Sequence, residues 1–381
     1  MTVTLDEQRL GALRWIVLSG PGPEAFRALG RHMRAEIRAV VGEWDYPALL
    51  RRYVAGPPGS ERLAAVSRAS QAGFPDVWAE LAALADGAGV PLGDLALLNL
   101  RGDLGAVGDG GGCSDLAWRR RESFIAHNED DSEFFHGCSA LLTLALEGVP
   151  AVTAFWKPGF LPSTTFTVTG TGLVWAIDHM PAASPGAFPG RHFVARGLQR
   201  CAGPLDRATG YLRDHPSAGG FAYIIGDRSG RIVTVEALAG QYAGKEVGPA
   251  GPLAWHTNHG RYLAGAGADP RGTSLARGEV LQSLEVPAGE PDAAWFARIL
   301  AGAPLPGGVR ADPSPGGQSM TLCTIVANLT TGEAVLLGRD TEAVSIPLAD
   351  LARGEATQQT AGPPLPHDPG PPPRPGSGAG S

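Results

Sequence analysis

The sequence predicts an α+β protein, antiparallel sheets under helical cover, and a change of vocabulary near the middle of the chain predicts it. From about Pro23 to Leu100 apolar residues recur three and four apart, as in "PEAFRALGRHMRAEIRAVVGEW" and "ERLAAVSRASQAGFPDVWAELAALADGAG", the spacing that gives a helix one apolar face. After Cys113 the runs become β-branched or alternating, as in "SALLTLALEG", "PAVTAFW", "TTFTVTGTGLVWAID", "FAYIIGDRSGRIVTVEAL" and "TLCTIVANLTTGEAVLLGR", which suits packed strands. With 381 residues, 43% of them hydrophobic and 18% charged, the chain can bury the core such a fold needs.

Taken in order, the first third reads as mostly helical. Among the later strands, "EGVP", "GDRSGR" and "NLTTGE" carry turn residues between apolar runs and predict hairpins. Gly170 and Gly172, in "TVTGTGLVWAID", lack the full phosphate-binding fingerprint and the strand-to-helix context, so they read as a strand turn. Helical patterns return at about 191–214 and 291–302, between strand groups. Beyond Arg353, "GEATQQTAGPPLPHDPGPPPRPGSGAGS" has too few apolar residues to offset its ordering entropy, and residues 353–381 are expected to be a disordered tail.

Composition narrows the function classes. A net charge of −7, with basic residues dispersed apart from Arg119–Arg121, argues against a nucleic-acid partner. Four cysteines without CxxC pairs suit a reducing compartment, and the N-terminus lacks a basic lead into an apolar core, so it does not read as a secretory signal. No apolar run approaches the roughly 18 residues of a membrane span. The expectation is a soluble, cytoplasmic protein.

Cys138 and Cys323 fall in strand-like apolar runs and Cys201 near a helix end, where cysteine acts as a small hydrophobe. Cys113 differs: "DGGGCSDLAW" gives it flexible and polar neighbours. A thiol nucleophile needs a base, and His127 in "FIAHNEDD" or His256 and His259 in "LAWHTNHG" would serve an ordinary Cys/His pair. Another route needs no histidine. If the Gly112–Cys113 bond were cut, Cys113 would head a new chain and its own α-amine, with a reference pKa of about 7.7–8.0, could act as base. Gly112 would present the least hindrance to a thiol attacking the carbonyl before it.

Each of these residues also has a plain structural reading. Asn128 and Asp130 suit an Asx turn. His256 and His259 lack the third ligand and the HExxH register of a zinc site, so no metal is expected. Trp156, Phe160 and Trp175 could line an acyl pocket, although aromatics in strand patterns usually fill the core. Glu236, in "TVEAL", reads as the polar face of a half-exposed strand, or else as a substrate contact.

Taken together, "LNLRGDL" at 98–104, "GGCSD" at 111–115, "AHNED" at 126–130, "WHTNHG" at 255–260 and "SMTLCTIVANLTTGEAVLLGR" at 319–339 resemble successive motifs of the acyl-coenzyme A:6-aminopenicillanate acyltransferase family. These are cysteine N-terminal-nucleophile (Ntn) proteins of the peptidase C45 group, and the resemblance covers roughly residues 20–345. It implies a four-layer αββα sandwich, with a mainly helical segment 1–112 wrapping a catalytic core of residues 113–352. By resemblance Cys113 is the nucleophile, both for self-cleavage after Gly112 and for acyl transfer. Asp130 would hold the new α-amine and Asn258 would stabilise the oxyanion, with Asn128, His256 and His259 in supporting positions. Two departures stand out. The middle of the Asn-x-Asp motif, often Trp in the family, is Glu129, and Asp131 follows, so a slip of one would exchange Asp130 for Asp131. Where the acyltransferase carries Arg, this chain has Gln318.

The resemblance implies a self-processing amidohydrolase or acyltransferase acting on a small amide or acyl donor. It would need no cofactor, coenzyme A thioesters entering as substrates only, and fragments 1–112 and 113–381 would stay associated. The alternatives are a non-processing binding protein on the same scaffold and an unprocessed Cys/His hydrolase using His127 or His256.

Overall fold

The chain enters the fold on a hairpin, β1 (Thr4–Leu10) and β2 (Leu13–Gly20), turning through Gly11 at φ +56. That left-handed conformation costs a residue without a Cβ little. The structure, a computed structural model, describes residues 2–105, 112–182, 186–201, 203–263, 272–313, 319–339, 341–356 and 359–362. Helices α1 (Gly22–His32), α2 (Arg34–Gly42), α3 (Asp45–Val54), α4 (Gly59–Gly73), α5 (Pro75–Ala88) and α6 (Leu92–Asn99) follow, on the apolar periodicity read from the sequence. α1 lies along α5, with Phe26, Leu29, Leu81 and Leu84 buried between the helices and the sheet.

The strands of the second part are β3 (Ser114–Arg119), β4 (Ser123–Asp131), β5 (Ala140–Leu146), β6 (Val152–Trp156), β7 (Thr167–Thr169) and β8 (Leu173–Met180). After α7 (Arg191–Gln199) and α8 (Leu205–Asp214) come β9 (Gly220–Asp227), β10 (Ile232–Leu238), β11 (Gln241–Val247) and β12 (Leu253–His256). α9 (Ser274–Gln282) and α10 (Ala293–Ala297) precede β13 (Met320–Asn328), β14 (Glu333–Gly338), β15 (Val344–Pro347), α11 (Leu348–Arg353) and β16 (Thr360–Ala361). The three expected hairpins form as β5–β6, β9–β10 and β13–β14, and Gly170 and Gly172 turn β7 into β8.

Two sheets result, in the orders β1-β2-β5-β6-β7-β8-β9-β10-β11 and β12-β3-β4-β13-β14-β15-β16. Every described pairing between these strands is antiparallel except β2 with β5. The sheets stack face to face, β3 and β4 against β8 and β9. Along β8, Val174 and Ala176 face the inter-sheet core while Trp175 and Ile177 face α7 and α8 across Val194, Leu198, Leu205 and Leu212. This is the period-2 alternation of a strand covered on both sides. On the far sheet Leu116, Trp118, Phe124 and Val326 pack under Leu281 of α9 and Phe296 of α10. Each such buried Leu, Ile, Val or Phe contributes roughly 1.5–3 kcal/mol. The layers are therefore αββα, as the resemblance implied.

The mainly helical N-terminal segment needs one amendment. Its hairpin is part of the larger sheet, Trp15 lying opposite Leu141, and the Trp15 indole donates to Thr143 Oγ1 at 2.9 Å. Thr143 in turn bonds Thr153 at 2.5 Å, and Thr153 donates to the Leu351 carbonyl at 2.6 Å, so no buried polar group of this run is orphaned. The tail is amended too: β16 pairs with β15, and Gln359 Oε1 accepts from the Gly11 amide at 3.2 Å. The rest of the predicted disordered tail, from 363 on, lies outside the described residues. No helix among the described residues is long and apolar enough to cross a membrane.

Candidate active site

Strand register assembles the site. On β3, Ser114 faces Asn128 of β4, and Asp115 faces both His127 of β4 and His256 of β12. Carried back to Cys113, just ahead of β3, the same register sets Glu129 on one flank and Asn258 on the other. Cys113, Glu129, Asp130 and Asn258, with Gly112 and Lys157, line one narrow cleft.

Cys113 is 7% exposed, and its thiol lies 3.8 Å from Glu129 Oε2. Burial first, then the carboxylates of Glu129, Asp178 and Asp130, hold the thiol well above its usual pKa, against a hydrogen bond from the Asp130 backbone N–H. Asp130 Oδ1 accepts from Thr321 Oγ1 at 2.6 Å, while Oδ2 is buried and has no hydrogen-bond partner. Burial pushes this carboxyl up to about 7 although Arg277 and Thr321 pull it down. Asp131 is committed to an ion pair with Lys157, which also binds Glu129 Oε1 at 2.6 Å. Burial works against the Glu129 charge, but Lys157 and then His127 outweigh it and hold the carboxyl below its usual range.

The Glu129 end of this cluster continues between the sheets. His127 bonds Glu129 through Nε2 at 3.2 Å and Asp115 through Nδ1 at 2.7 Å. His256 is held the same way, by Asp178 at 3.1 Å and Glu236 at 3.1 Å. Burial disfavours both imidazolium forms, yet the flanking carboxylates push His127 up to about 10 and His256 up to about 9, so each ring donates to two acids. The two triads meet at Asp115 and Asp178, whose carboxylate oxygens come within 4.8 Å. Each has one buried oxygen without a partner. Burial and then Asp178 push Asp115 up to about 7.

Opposite the acids, Arg277 of α9 caps the site. Its guanidinium donates to the Cys113 carbonyl, to Ser114 Oγ at 2.8 Å and to Asn258 Oδ1 at 2.6 Å. With Oδ1 so occupied, the Asn258 amide nitrogen is the group left to donate, and it reaches the His179 carbonyl at 3.0 Å. A Cβ on Gly112 would lie 2.3 Å from Arg277 Nη2.

Cys113, Asp130, Asn258 and Gly112 are therefore brought together, and the supporting residues are not. Asn128 turns to the opposite face, donating to the Leu300 carbonyl at 2.5 Å and accepting from Thr324 at 2.6 Å. His259 bonds Thr257 and Ser274, and both His256 nitrogens are taken by acids. His127 faces the thiol from behind Glu129. Glu236 is corrected: it is fully buried, accepting from His256 and from the backbone amides of Arg261, Tyr262 and Leu263, and its strand face is not half-exposed. Trp156, Phe160 and Trp175 belong to the core, and the aromatic in the cleft is Phe221. Cys138 lies ahead of β5, outside the strand. Gln318, Gly110 and Gly111 lie outside the described residues.

Glu129, Lys157, Arg277 and the Asp115–Asp178 pair are site residues that motif reading did not pick out. Lys157 left one signal, being one of two lysines in the chain and directly following the apolar run "AVTAFW". Two trios come close enough to hold a cation, Cys113–His127–Glu129 and Asp115–His127–Asp178, their ligand atoms within 4.8 Å. His127 is common to both, and a metal would have to displace a proton from a ring whose two nitrogens already bond carboxylates.

Two stacked, largely antiparallel sheets between helical layers make an αββα sandwich, with Cys113 just ahead of an interior strand. The family model for acyl-coenzyme A:6-aminopenicillanic acid acyl-transferase matches residues 118–285, a stretch that contains Asp130 and Asn258 and begins just after Cys113. The match agrees with the resemblance read from the motifs at 126–130 and 255–260, and the matched family is one of acyltransferases. No curated protein sequence matches the chain. Among solved structures it is similar to two variants of conjugated bile acid hydrolase from Clostridium perfringens. One aligns at 12% identity over 67% of this chain and 98% of that one, with a TM-score of 0.38. The other aligns at 10% identity over the same shares, with a TM-score of 0.39. Penicillin V acylase from Agrobacterium tumefaciens aligns at 12% identity over 64% of this chain and 88% of that one, with a TM-score of 0.37.

Proposed function

We propose that the chain is a self-processing cysteine amidohydrolase or acyltransferase of the N-terminal-nucleophile type. The observation that carries this reading is the convergence of Gly112, Cys113, Asp130 and Asn258 on one cleft in which an Asp130 oxygen has no partner. In processing, the Cys113 thiol gives up its proton and Sγ bonds to the Gly112 carbonyl carbon. The C–N bond to Cys113 breaks as its nitrogen gains a proton, leaving a thioester and a free α-amine. Water then hydrolyses the thioester, releasing the Gly112 carboxylate and the thiol.

In turnover the new α-amine takes the thiol proton and Sγ attacks the acyl carbon of a small amide or thioester. The Asp130 carboxylate orients the resulting ammonium by a charge-assisted hydrogen bond. The Asn258 Nδ2 group, on a side chain whose Oδ1 is held by Arg277, donates to the oxyanion, a contribution worth about 3–4 kcal/mol in comparable acyl transfers. The leaving amine or thiol departs with the proton, and water or an acceptor amine resolves the thioacyl enzyme. No step calls on a cofactor; a coenzyme A thioester would enter as acyl donor. Pairing of β2 with β5 would keep fragments 1–112 and 113–381 together after cleavage. Four free cysteines suit a reducing compartment such as the cytoplasm.

Mass spectrometry of the denatured full chain tests the reading. Two fragments divided at Gly112–Cys113 are expected from the wild type and an intact chain from Cys113→Ala. A wild-type chain that stays whole through long incubation refutes it. A panel of N-acyl amides, with and without acyl-coenzyme A, then separates hydrolysis from transfer.

A further inference from the structure

The first step of processing lacks the base that later turnovers would use. Before cleavage the Cys113 nitrogen is a peptide nitrogen whose lone pair is delocalised into the carbonyl, so it cannot take the thiol proton. The thiol is held protonated, so the base must be found among its neighbours.

One neighbour has the geometry. Glu129 Oε2 lies 3.8 Å from Cys113 Sγ, across the strand register, and the carboxylate is 1% exposed. Lys157 fixes Oε1 at 2.6 Å and His127 Nε2 fixes Oε2 at 3.2 Å, so the group is both ionised and aimed. Asp130 and Asp131 are placed differently. Asp131 is turned to Lys157, and the Asp130 side chain bonds Thr321 while its backbone N–H faces the sulfur.

We propose, resting on the self-processing reading, that the Glu129 carboxylate accepts the Cys113 thiol proton in the uncut chain. As the C–S bond to Gly112 forms, the S–H proton passes to Glu129 Oε2. From there it is returned to the Cys113 nitrogen as the C–N bond breaks, so Glu129 ends the step as it began, ionised. Lys157 and His127 keep the carboxylate charged but also weaken it as a base, which makes the proton move together with carbon–sulfur bond formation and not ahead of it.

The test follows cleavage of the full-length chain over time by intact-mass measurement under denaturing conditions. Glu129→Gln keeps the shape and loses the base, and it should slow cleavage by about a hundredfold or more. Glu129→Ala opens room beside Lys157, and added formate should restore its cleavage in proportion to concentration until the site saturates, a response that loss of a purely structural contact would not give. Near-UV circular dichroism checks that both variants are folded. If the wild type cleaves, Cys113→Ala does not, and Glu129→Gln cleaves at the wild-type rate, the assignment of Glu129 is overturned while the processing reading stands. If the wild type stays whole, or Cys113→Ala is still cut, both are overturned. Folded but slow Glu129→Ala that formate does not accelerate also overturns the assignment.

Discussion

Replacing Gly112 by alanine is expected to slow cleavage while leaving the fold in place. The new Cβ would lie 2.3 Å from Arg277 Nη2, 3.0 Å from Asn258 Oδ1 and 3.1 Å from Arg277 Cζ. The end of an arginine side chain usually yields to such a clash at little cost. This one is buried, and its guanidinium already serves the Cys113 carbonyl, Ser114 Oγ and Asn258 Oδ1. Either Arg277 withdraws from those acceptors, or residue 112 backs away and carries its carbonyl out of line with Sγ. Overpacking of this kind costs about 1–3 kcal/mol. Charged to the cleavage transition state, at about 1.36 kcal/mol per tenfold, that slows processing on the order of ten- to a hundredfold. The assay is a time course of intact mass for Gly112→Ala beside the wild type, with thermal unfolding by circular dichroism as the fold control. Wild-type cleavage kinetics in a folded Gly112→Ala chain would refute the argument that Arg277 is pinned against this glycine.

Arg277→Lys keeps the charge and loses the planar fork, so one ammonium must replace a group that serves three acceptors; cleavage should slow at least about tenfold, and an unchanged rate would show the fork is not needed. Lys157→Met leaves Glu129 and Asp131 buried without their cation and should cost about 3–5 kcal/mol in urea unfolding of the uncut Cys113→Ala chain; a loss under about 1 kcal/mol contradicts the burial of the pair. Stability of that chain should fall as pH rises from 5 to 10. Asp115 and Asp130, raised to about 7, are protonated in the folded state and ionised in the unfolded one through the lower part of that range. His127 and His256, raised to about 10 and about 9, give stability that is fully present below about 6.5 and is lost as pH climbs through those values. Scanning calorimetry at pH 5, 7 and 9 checks the direction, His256→Gln should flatten the upper limb, and a melting temperature that rises with pH sinks the account.

What was legible in the sequence was whatever depends on local pattern. Helical periodicity located α1 to α6, and turn residues located the hairpins, because both signals lie within a few residues of the structure they cause. β1 escaped because it is an edge strand with polar side chains on both faces; its only local mark is the "RLGAL" turn. α9 escaped because its nine residues carry almost no amphipathic contrast, and with it went Arg277, whose partners lie at 113, 114 and 258. Glu236 was misjudged for a related reason. Alternation along β10 shows which face a residue takes but cannot say what covers that face, and here His256 and three backbone amides from the next loop do.

"HNEDD" shows best how a polar run can conceal a site. Read locally it suits a turn, yet all five residues lie in a strand buried along its whole length. Burying that many ionisable groups is tolerable only when they neutralise one another, and the partners arrive from four other elements: Asp115 from β3, Lys157 from just beyond β6, Asp178 from β8 and His256 from β12. Neutralisation is incomplete, since Asp115, Glu129, Asp131, Asp178 and Glu236 outnumber His127, Lys157 and His256. At the far end of the network burial, and then the neighbouring Asp178, push the Asp115 carboxyl up to about 7, which relieves part of the surplus. The remainder sits beside the thiol and adds to burial in keeping it protonated. On the proposed reaction, cleavage places a new cationic ammonium at that spot, with Asp130 Oδ2 free to receive it. The carboxylates that, after burial itself, hold the Cys113 thiol protonated in the uncut chain would then become the binding site for the base of the mature one.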